Sequence, residues 1–204
     1  MIPLFHDFKD KEVVIIGGGS VALRKAKRFV QEASVTVVAE SFAEGFDEVP
    51  CTCITKRVTE LNIHEIITDT YLVIAATDSE EVNENIVTAA NQRDILVNRV
   101  DQPNDIVVPS HIDGDHVSVA IATGGASPAT TKHLRLELTP VIEEADAMAE
   151  IQMELREALK KEISDQQQRK QLLWKVMDSE RVWEQLPNNQ DKGLEIAREI
   201  IDIK

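Results

Sequence analysis

The sequence predicts an α/β fold: a domain built on a parallel sheet, then a small α+β segment, then a helical C-terminal domain. Three observations carry this reading. Short continuous apolar runs at 13–16, 35–39 and 71–76 alternate with stretches of helical spacing. That is the pattern of strands buried on both faces and joined by right-handed crossovers. A glycine cluster, Gly17-Gly18-Gly19, follows the first run at once and opens a helix. Beyond Pro140, apolar residues recur at helical spacing almost to the end of the chain. The expected division is a Rossmann-type domain at 1–109, a short segment at 110–140 and a helical domain at 141–204.

Taken in order, Val13-Val14-Ile15-Ile16 forms the first strand, and Ala22, Ala26, Phe29 and Val30 mark the buried side of the helix after it. Residues 35–39 form the second strand, Cys51 to Ile54 the third, and residues 71–76 the fourth. Asp78 or Ser79 caps a helix from Glu80 to Gln92, and Ile95-Leu96-Val97-Asn98 is the fifth strand. Past Pro109 the pattern changes. Residues 111–116 read as a strand end and turn, and 117–122 as a strand. Ser127 is an N-cap and Pro128 a first helical residue. From Pro140, residues such as Ile142, Met148, Ile151, Met153 and Leu155 keep helical spacing. Ser164 and Gln167 form a capping box for a helix carrying Leu172, Leu173, Val176, Val182 and Trp183. Residues 187–189 break it, and a last helix runs from about Asp191 to Ile203. The Met and Trp positions read as core.

The 204 residues carry a formal net charge of -14. An acidic chain is a poor nucleic-acid binder, because phosphate contact needs clustered Lys and Arg. No apolar run approaches the roughly 20 residues that span a membrane, and the N-terminus has no basic n-region, so a cytoplasmic protein is expected. Cys51 and Cys53 share one face of a strand and are read as reduced thiols, because no second pair completes a metal site. The five histidines show no metal-ligand spacing, and no metal site is expected.

The glycine turn reads Gly17-x-Gly19-x-x-Ala22. The first glycine allows the tight strand-to-helix turn, the second lets backbone approach a pyrophosphate, and the small third residue lets helix and strand pack closely. The helix N-terminus supplies unpaired N–H groups and a partial positive charge. Glu40 ends the second strand about 20 residues on, where a carboxylate hydrogen-bonds a ribose and favours NAD over NADP. Thr77 and Asp78 lie at the C-terminal end of the fourth strand, beside that cofactor. Asp101 follows the fifth strand as a general base, a metal ligand or a loop cap. Thr123-Gly124-Gly125-Ala126-Ser127-Pro128 is a second glycine turn before a helix and a further anion site, with Lys132, His133 and Arg135 on the helix it opens.

Taken together, these motifs resemble the precorrin-2 dehydrogenase/sirohydrochlorin ferrochelatase family, which includes the N-terminal half of siroheme synthases. The resemblance rests on Ile2-Pro3-Leu4-Phe5, residues 17–25, Ala75-Ala76-Thr77-Asp78, Asn98-Arg99-Val100-Asp101, Val108-Pro109-Ser110 and residues 123–128, in the family's order. It implies NAD-dependent oxidation of precorrin-2 to sirohydrochlorin, and in some members insertion of Fe2+ or Co2+ into the product. It implies a homodimer, with 110–140 as the dimerisation segment. It puts the essential aspartate on Asp101 and NAD contacts on Ser20, Val21, Glu40 and Ser41. The tetrapyrrole is a polycarboxylate, so Arg99, Thr123, Gly124, Gly125, Lys132, His133 and Arg135 are expected to hold it. The loop from Asp101 to Pro109 is shorter than the family's usual length and lacks its aromatic residue. A chelatase, with or without the dehydrogenase activity, and an NAD-sensing regulatory module are the alternatives.

Overall fold

A computed structural model describes residues 3–102 and 106–202. Ile2 of the N-terminal motif, residues 103–105 of the shortened loop and Ile203 of the expected last helix lie outside the described residues. The chain divides into two compact units, 1–108 and 109–204.

The first unit holds a five-stranded parallel sheet in the order β3-β2-β1-β4-β5. Its strands are β1 (Glu12–Ile16), β2 (Ser34–Ala39), β3 (Thr52–Thr55), β4 (Leu72–Ala75) and β5 (Leu96–Arg99). Helices α1 (Ser20–Phe29), α2 (Ile63–Ile66) and α3 (Glu80–Asn91) connect them. Strand alternation divides the apolar side chains between two faces. Val13, Ile15, Val35, Val37, Leu72 and Ile74 pack with Ala22, Ala26 and Phe29 of α1. Val14, Ile16, Val38, Val73, Ala75 and Val97 pack with Ile63, Ile67 and the α3 residues Ile86, Ala89 and Ala90. The edge strand β3 is exposed at every position, and it begins one residue later than the sequence suggests. The 3-10 turn at Phe46–Glu48 and the short α2 are additions to the expected elements.

Chain order reverses at β1, which pairs with β2 on one side and β4 on the other. Ligands of open α/β sheets bind beyond the strand C-termini at such a switch point. The register aligns Ile16 with Val38 and with Ala75, and Ala75 with Arg99. The turns after β1, β2, β4 and β5 therefore line one edge of the sheet, with Gly17 and Val100 separated by two strand spacings, roughly 10 Å.

The second unit contains a hairpin of β6 (Ser110–Asp113) and β7 (Ser118–Ile121), followed by α4 (Pro128–Glu162), α5 (Gln166–Met177), α6 (Glu180–Trp183) and α7 (Gln190–Ile201). Helix α4 has 35 residues and runs straight through Pro140, so the segment 110–140 and the helices after it share one compact unit. Met148, Ile151, Leu155 and Leu159 of α4 form a core with Val176, Val182, Ile196, Ala197 and Ile201. Three local details differ from the sequence reading. Asp165, not Ser164, caps α5, its carboxylate accepting from Gln167 N at 2.9 Å. The expected single helix through Trp183 is interrupted at Asp178-Ser179, where Ser179 takes the N-cap position of α6 without a side-chain hydrogen bond. Met153 and Trp174 are more than half exposed and are not core, since α4 and α5 each bury only the side turned to the bundle.

Candidate active site

The turn after β1 has the geometry of an anion cradle. Gly17 is buried at φ 124°, and a Cβ there would stand 2.2 Å from the Ala76 carbonyl oxygen. Only glycine lets the β1 and β4 termini approach so closely. Gly17 N donates to Val38 O at 2.9 Å, fixing the turn to β2 as well. Gly19 is the N-cap of α1; no side chain caps the helix and no acidic residue lies in its first turn. Nothing lies within 4 Å of where a Gly19 Cβ would be. The Ser20 and Val21 N–H groups thus stand in the first turn of a helix with no side-chain cap, beside space that no described residue fills, at the positive end of a helix dipole, which fits a pyrophosphate.

Beyond β2, Glu40 and Ser41 are exposed. The Glu40 carboxylate pairs with Arg57 Nε at 3.4 Å, an exposed pair that the sequence does not announce. Gly18 sits tight under this segment: its Cβ would fall 1.9 Å from the Ser41 carbonyl oxygen. Beyond β4, Asp78 is exposed. The Thr77 hydroxyl donates to Asn83 Oδ1 at 2.7 Å, and Asn83 Nδ2 donates back to Thr77 O at 3.1 Å. Asn83 is fully buried on α3 and clamps the loop. Its position inside a helical run conceals that role in the sequence. Ser79 caps α3, accepting from Val82 N at 3.3 Å.

Beyond β5, the Arg99 side chain is 5% exposed and that of Asp101 23%. Arg99 Nε donates to Asp101 Oδ1 at 2.6 Å and Nη2 to Asp101 Oδ2 at 3.1 Å, a two-pronged pair. On the other side, Nη1 donates to Glu84 Oε2 and Nη2 to Glu80 O at 3.3 Å. Arg99, expected to hold substrate, thus has protein acceptors for its donors within the unit. The Arg99 hydrogen bonds hold the Asp101 carboxyl below the usual carboxylate range; burial opposes them, and the Asn83 side chain adds to them. Asn98 of β5 donates Nδ2 to Ile106 O at 2.7 Å, while its buried Oδ1 has no partner among the described residues.

In the second unit, Gly124 and Gly125 adopt φ 62° and 84°, left-handed values that suit successive glycines. Ser127 caps α4 as expected, accepting from Thr130 N at 3.1 Å. Thr123 Oγ1 accepts from Ser127 N at 3.3 Å, closing the turn. Lys132 and His133 are exposed. His133 and Arg135 are two residues apart and so point about 200° apart around the helix. Arg135 lines a cavity of about 340 Å³ with His111, Asp113, Thr139 and Asp146. The two side chains do not converge on one site of the chain.

Comparison with known proteins gives the following. Residues 4–110 match an NAD(P)-binding family. A precorrin-2 dehydrogenase of Methanosarcina barkeri is 35% identical, covering 98% of this chain and 93% of its own length. A siroheme synthase of Tolumonas auensis is 37% identical over 80% of this chain, which spans 36% of that longer protein. Among solved structures, SirC, a precorrin-2 dehydrogenase, superposes with a TM-score of 0.76 at 25% identity, covering 99% of this chain and 100% of its own.

Proposed function

The chain belongs to the family of precorrin-2 dehydrogenases and siroheme synthases, and from that premise we propose that it oxidises precorrin-2 to sirohydrochlorin with NAD+. The observation that carries the proposal is full-length kinship to a precorrin-2 dehydrogenase, joined to a carboxylate held at the edge of the sheet where the glycine turn opens.

When bound, NAD+ supplies the hydride acceptor. The residues present fit it: an open cradle at Gly19, uncapped N–H groups on Ser20 and Val21, and a rigid Gly17 turn. In the proposed arrangement Gly17, Gly19, Ser20 and Val21 take the pyrophosphate, Glu40 and Ser41 the adenosine ribose, and the Thr77-Asp78 loop shapes the nicotinamide side. Arg57 steadies the Glu40 carboxylate for the ribose hydroxyls.

Oxidation of the macrocycle removes a hydride and a proton. Loss of the hydride leaves the conjugated system cationic and its remaining hydrogens acidic, so a carboxylate of low basicity suffices to take the proton. Asp101 is assigned that step. Its oxygens each accept a bond from Arg99, and the part of the carboxylate left exposed is assigned to take the proton. The substrate carboxylates are assigned to the turn at Thr123, Gly124 and Gly125, to the N-terminus of α4, and to His133.

Two further features belong to this reading. A second copy of the chain is the proposed partner, through 110–140 and the start of α4, where Leu134, Leu136 and Val141 are exposed apolar residues. The proposed compartment is the cytoplasm, where the free thiols of Cys51 and Cys53 stay reduced; among the described residues no helix is long and apolar enough to cross a membrane.

The test is anaerobic turnover of precorrin-2 with NAD+, followed by sirohydrochlorin absorbance. Asp101→Ala is expected to abolish turnover and leave NAD+ affinity intact. Folded wild-type protein that binds NAD+ without turnover would refute the assignment and favour a sensing module.

A further inference from the structure

Arg99 stands next to the assigned proton acceptor, yet its position is that of an interior residue. It closes β5, and Arg99, Asp101 and the core residue Val97 fall on the same side of the extended chain, toward α3. Val100 N donates to Ala75 O at 3.1 Å, which carries the strand pairing one residue past β5 and fixes the path to Asp101. On α3, Glu80, Asn83 and Glu84 have the i, i+3, i+4 spacing of one helix face. Glu84 and the Glu80 carbonyl grip the guanidinium from behind, and Asn83 joins the same cluster to the Thr77 loop.

We propose that Arg99 is the positioning residue for Asp101: its buried fork fixes the direction of the carboxylate, with Glu84 as the anchor that holds the fork in place. The proposal rests on the reading of Asp101 as proton acceptor. A guanidinium suits this task because its planar donors set both carboxylate oxygens at once, where an ammonium sets only a charge. Among the described residues, the charged groups facing Asp101 are Arg99 at the end of β5 and, behind it, Glu84 on α3; Asn83 is the neutral neighbour. Four hydrogen bonds to protein acceptors leave Arg99 little capacity for a substrate carboxylate.

The experiment compares the full chain with Arg99→Met, Arg99→Lys, Glu84→Gln and Asp101→Ala, measuring NAD+ affinity, kcat and KM for precorrin-2, and the pH dependence of kcat. Arg99→Met is expected to lower kcat roughly 10- to 100-fold with KM and NAD+ affinity little changed. The acid limb of its kcat profile moves to higher pH as Asp101 regains ordinary basicity. Arg99→Lys restores part of kcat. Glu84→Gln is an exposed change that keeps the fold. It weakens the anchor behind the fork, so kcat falls in the same sense as in Arg99→Met but by less, with KM and NAD+ affinity little changed. A loss confined to KM for precorrin-2 would overturn the proposal and return Arg99 to substrate binding. An unchanged kcat and pH profile in Arg99→Met would overturn it too. Should Arg99→Met fail to fold, an unchanged kcat in Glu84→Gln overturns it. Should Asp101→Ala keep turnover, it is the reading of Asp101 that fails; inactive Asp101→Ala beside unaffected Arg99→Met isolates the failure to Arg99.

Discussion

Alanine at two neighbouring glycines separates cofactor binding from folding. At Gly19 the backbone lies at φ -80° and ψ -176°, a region open to any residue, and nothing stands within 4 Å of the added Cβ. Losing a glycine N-cap costs a little, while the stiffer unfolded chain returns about 0.4–1 kcal/mol. The net change in stability is within about 0.5 kcal/mol. The methyl group does, however, occupy the space into which a pyrophosphate would settle on the Ser20 and Val21 N–H groups. An overpacked contact of that kind costs about 1–3 kcal/mol, or a roughly 5- to 150-fold rise in Kd. At Gly18 the relation inverts. The Cβ would sit 1.9 Å from Ser41 O and 2.9 Å from the Ala39 Cβ, so backbone has to move. That penalty of about 1–3 kcal/mol falls on the fold itself, lowering Tm by about 4–8 °C per kcal/mol for a domain of this size. NAD+ titration by calorimetry and thermal melts with and without NAD+ read both quantities. An unchanged Kd in Gly19→Ala would refute the placement of the pyrophosphate. An unchanged Tm in Gly18→Ala would refute the close approach of the β1 turn to Ser41.

Other outcomes follow from charge and burial. Asp146 on α4 accepts from the N–H groups of Asp115 at 3.0 Å and of His116 and Val117 at 2.7 Å, pinning the β6–β7 turn. Burial pushes its carboxyl up, but these donors outweigh it and hold it below the usual range. Its stabilisation is therefore present above the unfolded value near 4 and lost as pH falls through the lower folded value. Asp146→Ala is expected to cost roughly 1.5–3 kcal/mol at pH 7 in denaturant melts, with the difference from wild type vanishing in strong acid. Lys25 sits at about 8, because burial and then Arg24 and Arg28 disfavour its charge. Lys25→Met should raise Tm at pH 7, and the gain should shrink between pH 8 and 10.5; a gain independent of pH would refute the burial argument. The Cys51 thiol is pushed up to about 11 by burial and then by Cys53, so mass-spectrometric mapping at pH 7.5 should find it alkylated far more slowly than an ordinary exposed thiol. NAD+ affinity should change little between low and high salt if, as proposed, fixed backbone N–H groups and not exposed lysines meet the pyrophosphate; a steep dependence would contradict that.

The parallel sheet was legible because its central strands are apolar on both faces: Val13, Val14, Ile15 and Ile16 are all nearly inaccessible. The edge strand β3 was harder to place, because it pairs on one side only and every residue in it is exposed. The four residues of α2 are too few for a periodic pattern, and so this helix went unread. The glycine turns were legible because their chemistry is local; the strand, the turn and the helix that make each one are contiguous. Met153 and Trp174 misled because helical spacing locates a stripe but not its edges, and both lie outside the buried side.

Arg99 shows where sequence reading stops. Beside an aspartate in an acidic chain with a polyanionic substrate, a cation reads as a hand held out to the ligand. Its actual partners are Asp101, two residues on, and Glu84 and the Glu80 carbonyl, 15 and 19 residues back. Only the crossover through α3 brings those acceptors under the end of β5. The same crossover delivers Asn83 to Thr77 and Asp101, so one helix face organises both the β4 loop and the carboxylate. A formal charge of -14 is thus no obstacle to handling anionic ligands. The cationic side chain nearest Asp101 is spent on orienting it, and in the proposed arrangement the anions meet, as well as His133, helix N-termini and glycine turns, whose partial charges never enter the count of Lys and Arg.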